Sequence, residues 1–118
     1  MSYSVSLEKD GKSVEVPCHE EGGVFVWGGI TKADLNITYN YSGHWVDTLP
    51  TTPEKGLRWL DGMQAIDAIP YLEKAVKKLG TKKDKNYWKP TPGNAGYALN
   101  ILLTWALVSP GAIFNVRY

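Results

Sequence analysis

The sequence predicts an α+β fold: an antiparallel β-sheet of about five strands, in the order ββββ-α-α-β, with two helices packed on one face. Three observations carry this. The first forty residues alternate apolar and polar side chains between turn residues. From Gln64 to Val108 the apolar period becomes helical. From Ala112 to Tyr118 it returns to two. Strands, then helices, then a strand is the pattern of helices gathered on one face of an antiparallel sheet.

Ser2 to Glu8 sets Tyr3, Val5 and Leu7 against Ser4, Ser6 and Glu8, a half-buried strand. Asp10-Gly11 is a two-residue hairpin turn signal, and Lys12 to His19 returns with Val14, Val16 and Cys18 on one face. Gly23 to Trp27 is rich in strand formers and is broken by Gly28-Gly29. Asp34 to Tyr41 reads as a fourth strand, with Leu35, Ile37, Tyr39 and Tyr41 on one face and Asn36, Thr38, Asn40 and Ser42 on the other. Residues 43–60 form a long connection containing Gly43, Pro50, Pro53 and Gly56, and connections of this length carry function or motion. Gln64 to Leu79 is an amphipathic helix striped by Ile66, Ile69, Leu72, Val76 and Leu79. Pro70 predicts a kink or a later start, and Gly80 a stop. Thr91-Pro92 is an N-cap followed by proline in the first helical position. The helix after it is apolar around most of its girth as far as Val108. It is therefore a central core element, or it is buried on two sides in a homo-oligomer.

The 118 residues make one domain, spanning 1–118, long enough to bury a core without staples. The single cysteine, Cys18, excludes an intrachain disulfide and a multi-cysteine zinc site. No basic region followed by an apolar core opens the chain, and no apolar run is long enough for a bilayer, so the expectation is a soluble protein of the host-cell cytoplasm. The formal net charge is +1, and it is unevenly spread. Residues 1–61 hold five basic and nine acidic side chains; residues 62–118 hold eight basic and three acidic. Such asymmetry steers partners or supports self-association. The lysine run Lys74, Lys77, Lys78, Lys82, Lys83 and Lys85 is diluted by Glu73 and Asp84 and has few aromatics between its members, which makes nucleic acid an unlikely ligand.

The chemistry-bearing residues point to binding rather than to a reaction. Cys18 and His19 are neighbours on a strand and face opposite ways, so they cannot act as nucleophile and base on each other. Cys18, His19, Glu20, Glu21, His44 and Asp47 lack the spacing of a metal site. No cofactor is expected. The glycine pairs Gly22-Gly23 and Gly28-Gly29 are not followed by the Lys-Ser/Thr of a phosphate loop. What remains is the polar row Asn36, Thr38 and Asn40 running into His44 and Trp45, with Arg58, Trp88 and Asn94 as further contributors. Aromatic faces beside amides suit a flat polar ligand or a partner's backbone. The free N–H groups where Thr91-Pro92-Gly93-Asn94 begins a helix suit an anion, and Arg58 suits a carboxylate or phosphate.

The blocks Glu21-Gly22-Gly23, Leu35 to Ser42, Asp61-Gly62, Leu79-Gly80 and Tyr87-Trp88-Lys89-Pro90-Thr91-Pro92-Gly93-Asn94-Ala95 resemble a family of short uncharacterised proteins encoded by phages and prophages of gut and soil bacteria. The resemblance spans roughly residues 20–108. It implies a phage-derived accessory binding protein with a counter-defence role, which blocks a host protein or sequesters a nucleotide-like ligand. The alternatives are a virion structural or assembly protein, and a small hydrolase using His44 as base.

Overall fold

A computed structural model describes residues 2–20, 29–51 and 54–117, the side chains of 18–20 and 29–31 excepted. The expected strand Gly23 to Trp27 lies outside the described residues. The class is the expected α+β. An antiparallel sheet is built on β1 (Ser2–Lys9), which pairs with β2 (Lys12–Ser13) and β5 (Asp34–Thr38) along one edge and with β6 (Ile113–Arg117) along the other. A second, two-stranded sheet joins β3 (Glu15–Glu20) to β4 (Gly29–Lys32). Three helices follow: α1 (Ser42–Thr48), α2 (Ala65–Leu79) and α3 (Pro92–Val108).

The β1–β2 turn is the one its sequence demands. Asp10 and Gly11 both have positive φ, 56° and 78°, as a two-residue hairpin loop twisted to match its strands requires. The return strand is interrupted at Val14. There Val14 N–H donates to Leu7 O while Ala33 N–H donates to Val14 O, so the chain passes from β1 towards the second sheet.

Tyr3, Val5 and Leu7 of β1, Leu35 and Ile37 of β5, and Phe114 and Val116 of β6 are buried on the helix side of the sheet. The helix α3 lies in the middle of the core. Ala95, Ala98, Leu99, Leu102 and Ala106 have no exposed surface. Most of its apolar girth is thus taken up within the chain, while Leu107 and Val108 at its C-terminal end stay exposed. Gly93 and Gly96 let it pass against the chain that follows α2. A Cβ on Gly93 would sit 1.8 Å from Lys82 O, and one on Gly96 1.8 Å from Gly80 O.

Several local expectations need correction. The fourth strand ends at Thr38 rather than Tyr41, because the Thr38 hydroxyl accepts from Asn40 N–H at 3.2 Å and caps a 3₁₀ turn over Tyr39–Tyr41. That turn leads directly into α1, inside what reads in sequence as loop. A further 3₁₀ turn spans Gly56–Leu60. The helix α2 runs unbroken through Pro70 from Ala65. It turns Ala65, Ala68, Leu72 and Ala75 inward and leaves Ile66 exposed, so Ile66 does not belong to the buried stripe.

The β6 edge of the sheet is met by a loop, and the end of the β5 edge by one side chain. The β6 edge is met by residues 61–64: Gly62 N–H donates to Phe114 O, Phe114 N–H to Met63 O, and Val116 N–H to Asp61 Oδ1 at 3.0 Å. At the β5 edge the Tyr87 hydroxyl accepts from Thr38 N–H at 2.8 Å. Each of these bonds occupies an edge group that would otherwise be open to another chain.

Candidate functional site

The segment Asn36 to Trp45 and the loop before α3 lie against each other, tied by side chains. The Asn40 amide donates to Trp88 O at 2.8 Å. The Tyr41 hydroxyl donates to Tyr87 O. His44 Nε2 meets Pro90 O at 2.8 Å. A carbonyl only accepts, so the hydrogen of that bond is on Nε2, and in the neutral ring Nδ1 carries the lone pair. Trp45 Nε1 donates to Ala95 O at 3.3 Å.

Asn94 completes the arrangement from inside. It is fully buried at the start of α3. Its Oδ1 accepts from Asp84 N–H at 2.7 Å, and its Nδ2 donates to Asn86 O at 3.1 Å and to Lys89 O at 2.8 Å. One amide therefore satisfies three backbone groups of an irregular loop that has no ladder of its own. Its own N–H is taken by the Thr91 hydroxyl at 3.1 Å, the N-cap bond the sequence predicts.

Aromatic rings run from core to surface along the same seam. Tyr3 meets Trp45 (5.6 Å between centroids), Trp45 meets Tyr41 (5.8 Å), Tyr41 meets Tyr87 (5.8 Å) and Tyr87 meets Trp88 (4.9 Å), every pair edge to face. Such pairs contribute about 0.5–1.5 kcal/mol each beyond their area. Burial pushes the Tyr41 phenol well above its ordinary pKa, and the neighbouring Tyr87 pushes it further. Burial likewise raises Tyr87, while the Thr38 N–H at its oxygen works in the opposite sense. Both phenols are neutral hydrogen-bonding groups at physiological pH.

Of the eight candidate residues, the structure gathers seven along this seam. Asn36 is on the exposed face of β5, and its carbonyl lies 3.5 Å from the Tyr87 hydroxyl. Thr38, Trp45 and Asn94 are buried and offer nothing to a ligand directly. Asn40 and His44 hold loop carbonyls. Trp88 is the large side chain among them that is presented, with 60% of its surface exposed. Arg58 is elsewhere, on the Gly56–Leu60 turn, beside a shallow hollow shared with Tyr3, Val46, Thr51, Glu54 and Lys55. Among the described residues no three His, Cys, Asp or Glu side chains converge as a metal would require.

Sequence reading missed Tyr87, whose hydroxyl seals a strand edge forty-nine positions away. Nothing local marks a phenol for that role. It also passed over the outward face of β1, although the alternation of Ser4, Ser6 and Glu8 with buried residues displayed it. No described helix is long and apolar enough to cross a membrane. No protein-family model, curated protein or solved structure matches the chain.

Proposed function

We propose that this chain is a non-enzymatic accessory binding protein of phage origin, which grips an acidic surface of a host protein through Trp88 and the lysines around it. The observation that supports this most is the combination of exposure and restraint at Trp88. An indole left 60% in water on a loop tied down at both ends is surface the fold does not use. A large aromatic held rigid loses little entropy on docking, which is why such residues dominate interfaces. Lys82, Lys85 and Lys89 are exposed on the same loop, and only Asp84, 3.9 Å from Lys89, offsets them. Lysines around an apolar anchor favour an acidic partner and speed its approach at low salt. The phage origin rests on the resemblance of the Leu35–Ser42 and Tyr87–Ala95 blocks.

The test is capture from lysates of candidate bacterial hosts, with identification of the bound protein and titration of its purified form. Trp88→Ser should weaken that complex by about 30-fold or more, as loss of a central aromatic anchor does. Raising the salt should weaken it further. A complex indifferent to both changes contradicts the proposal. A nucleotide bound by the same loop, with its base on Trp88, would replace the protein partner by the other ligand class the sequence suggests.

A further inference from the structure

The outward face of the main sheet carries a hollow of about 500 Å³, and Trp88 takes no part in it. Its floor is β1, whose outward side chains are the short Ser4 and Ser6 followed by Glu8. Longer side chains rise on either flank. The strand register sets Arg117 of β6 and Asn36 of β5 on either side of Ser4, and Asp34 beside Ser6. The hollow is therefore polarised. One end has donors: the Arg117 guanidinium and the Ser4 hydroxyl, whose oxygen accepts from Asn36 Nδ2 at 3.4 Å while that amide also donates to Ser2 Oγ at 2.9 Å. The other end has acceptors, the carboxylates of Glu8 and Asp34. The Ser6 hydroxyl fixes the first at 2.5 Å and the Ser13 hydroxyl the second at 3.0 Å.

Arg117 pairs with neither carboxylate. Strand geometry explains the separation. Arg117 and Asp34 are two strands and two residues apart, roughly 12 Å between backbones at ~4.8 Å per strand and ~3.3 Å per residue. Opposite charges at the two ends of a hydroxyl-floored trough match a molecule with the reverse arrangement. Among the described residues no aromatic lines it, and none of them offers a stacking platform for a nucleobase.

We propose that this hollow binds a small dipolar ligand of the basic amino-acid class. The carboxylate lies on the Arg117 guanidinium and the Ser4 hydroxyl, beside Asn36, and the guanidinium or ammonium group between Glu8 and Asp34. Two-pronged pairing of guanidinium with carboxylate at each end gives orientation as well as affinity.

The test is an amide-resolved NMR titration of the whole chain with L-arginine as probe. Agmatine, which lacks the carboxylate, and norvaline, which lacks the guanidinium, are the controls. L-arginine should shift Ser4, Ser6, Asn36 and Arg117 and saturate with a Kd on the order of 1 mM or below. Each control should bind about tenfold more weakly, the loss of one charge-assisted contact. Arg117→Ser should reduce L-arginine to the affinity of agmatine and leave agmatine unchanged, and Asp34→Asn should do the converse with norvaline. These exposed positions leave the fold intact, which the same spectra verify. Absence of saturable shifts, equal binding of arginine and agmatine, or arginine binding unaltered by both variants overturns the proposal.

Discussion

Replacing Asn94 by alanine probes the loop seam at its centre. The amide makes three hydrogen bonds to backbone groups of residues 84, 86 and 89 and has no exposed surface. At roughly 1 kcal/mol each, these bonds contribute about 3 kcal/mol. Two corrections pull in opposite directions. The freed carbonyls belong to exposed residues and can turn to water, which reduces the loss; the vacated volume beside α3 increases it. Asn94→Ala should therefore cost about 2–4 kcal/mol, read from urea unfolding followed by circular dichroism. For a chain of this length that is a fall in Tm on the order of 10 °C. Asn94→Asp sharpens the argument. It keeps the acceptor for Asp84 N–H but turns a carboxylate oxygen towards two carbonyl oxygens, so it should be no better than alanine. A loss below ~0.5 kcal/mol for alanine, or an aspartate variant close to wild type, refutes the assignment of the amide's donors to those carbonyls.

Other expectations follow from the same geometry. Gly96→Ala drives a methyl into Gly80 O, with backbone on both sides of the clash, and should cost at least the 1–3 kcal/mol of an overpacked core; a thermal melt within a degree of wild type contradicts the close passage of the two segments. Trp88→Ser should cost no more than about 1.5 kcal/mol, the most its edge-to-face pair with Tyr87 contributes, because the rest of the ring is in water, so a larger loss would show that the indole is structural. The two buried phenols predict a particular alkaline response. Both titrate above the ordinary tyrosine value in the folded chain, so their contribution is complete below about pH 10 and falls as pH rises from there towards the raised values. Tyr87→Phe should flatten the decline of unfolding free energy above pH 10, and an unchanged slope contradicts this.

The parts of the fold legible in the sequence are those fixed by local chemistry. Asp10-Gly11 can adopt the positive φ pair of a tight hairpin at little cost, and Thr91-Pro92 caps and pre-sets a helix, so both are visible within a few residues. The segment after Thr38 is different. The alternation of Asn36, Thr38 and Asn40 with Leu35, Ile37, Tyr39 and Tyr41 has the period of a strand, but Tyr41 and Trp45 are four apart, the spacing of one helical face. Packing decides between the two: Trp45 is fully buried against Tyr3 and Tyr41, which no local propensity of Ser42-Gly43-His44 foretells. The candidate site was legible as a neighbourhood. Asn40, His44, Trp88 and Asn94 do meet, yet most of their polar groups face the chain's own backbone. An amide three residues into a helix looks the same in sequence whether it awaits an anion or satisfies a loop folded over it. The distinction depends on where residues 84–90 run.

The claim on which the rest stands is that these side chains hold residues 84–91 as rigidly as the core, so that Trp88 is presented in one orientation. Backbone ¹⁵N relaxation tests it directly. Order parameters should be about 0.85 for Tyr87, Trp88 and Lys89, equal to those of α3 and lowered by Asn94→Ala. Values below about 0.6 in the wild-type chain would contradict it.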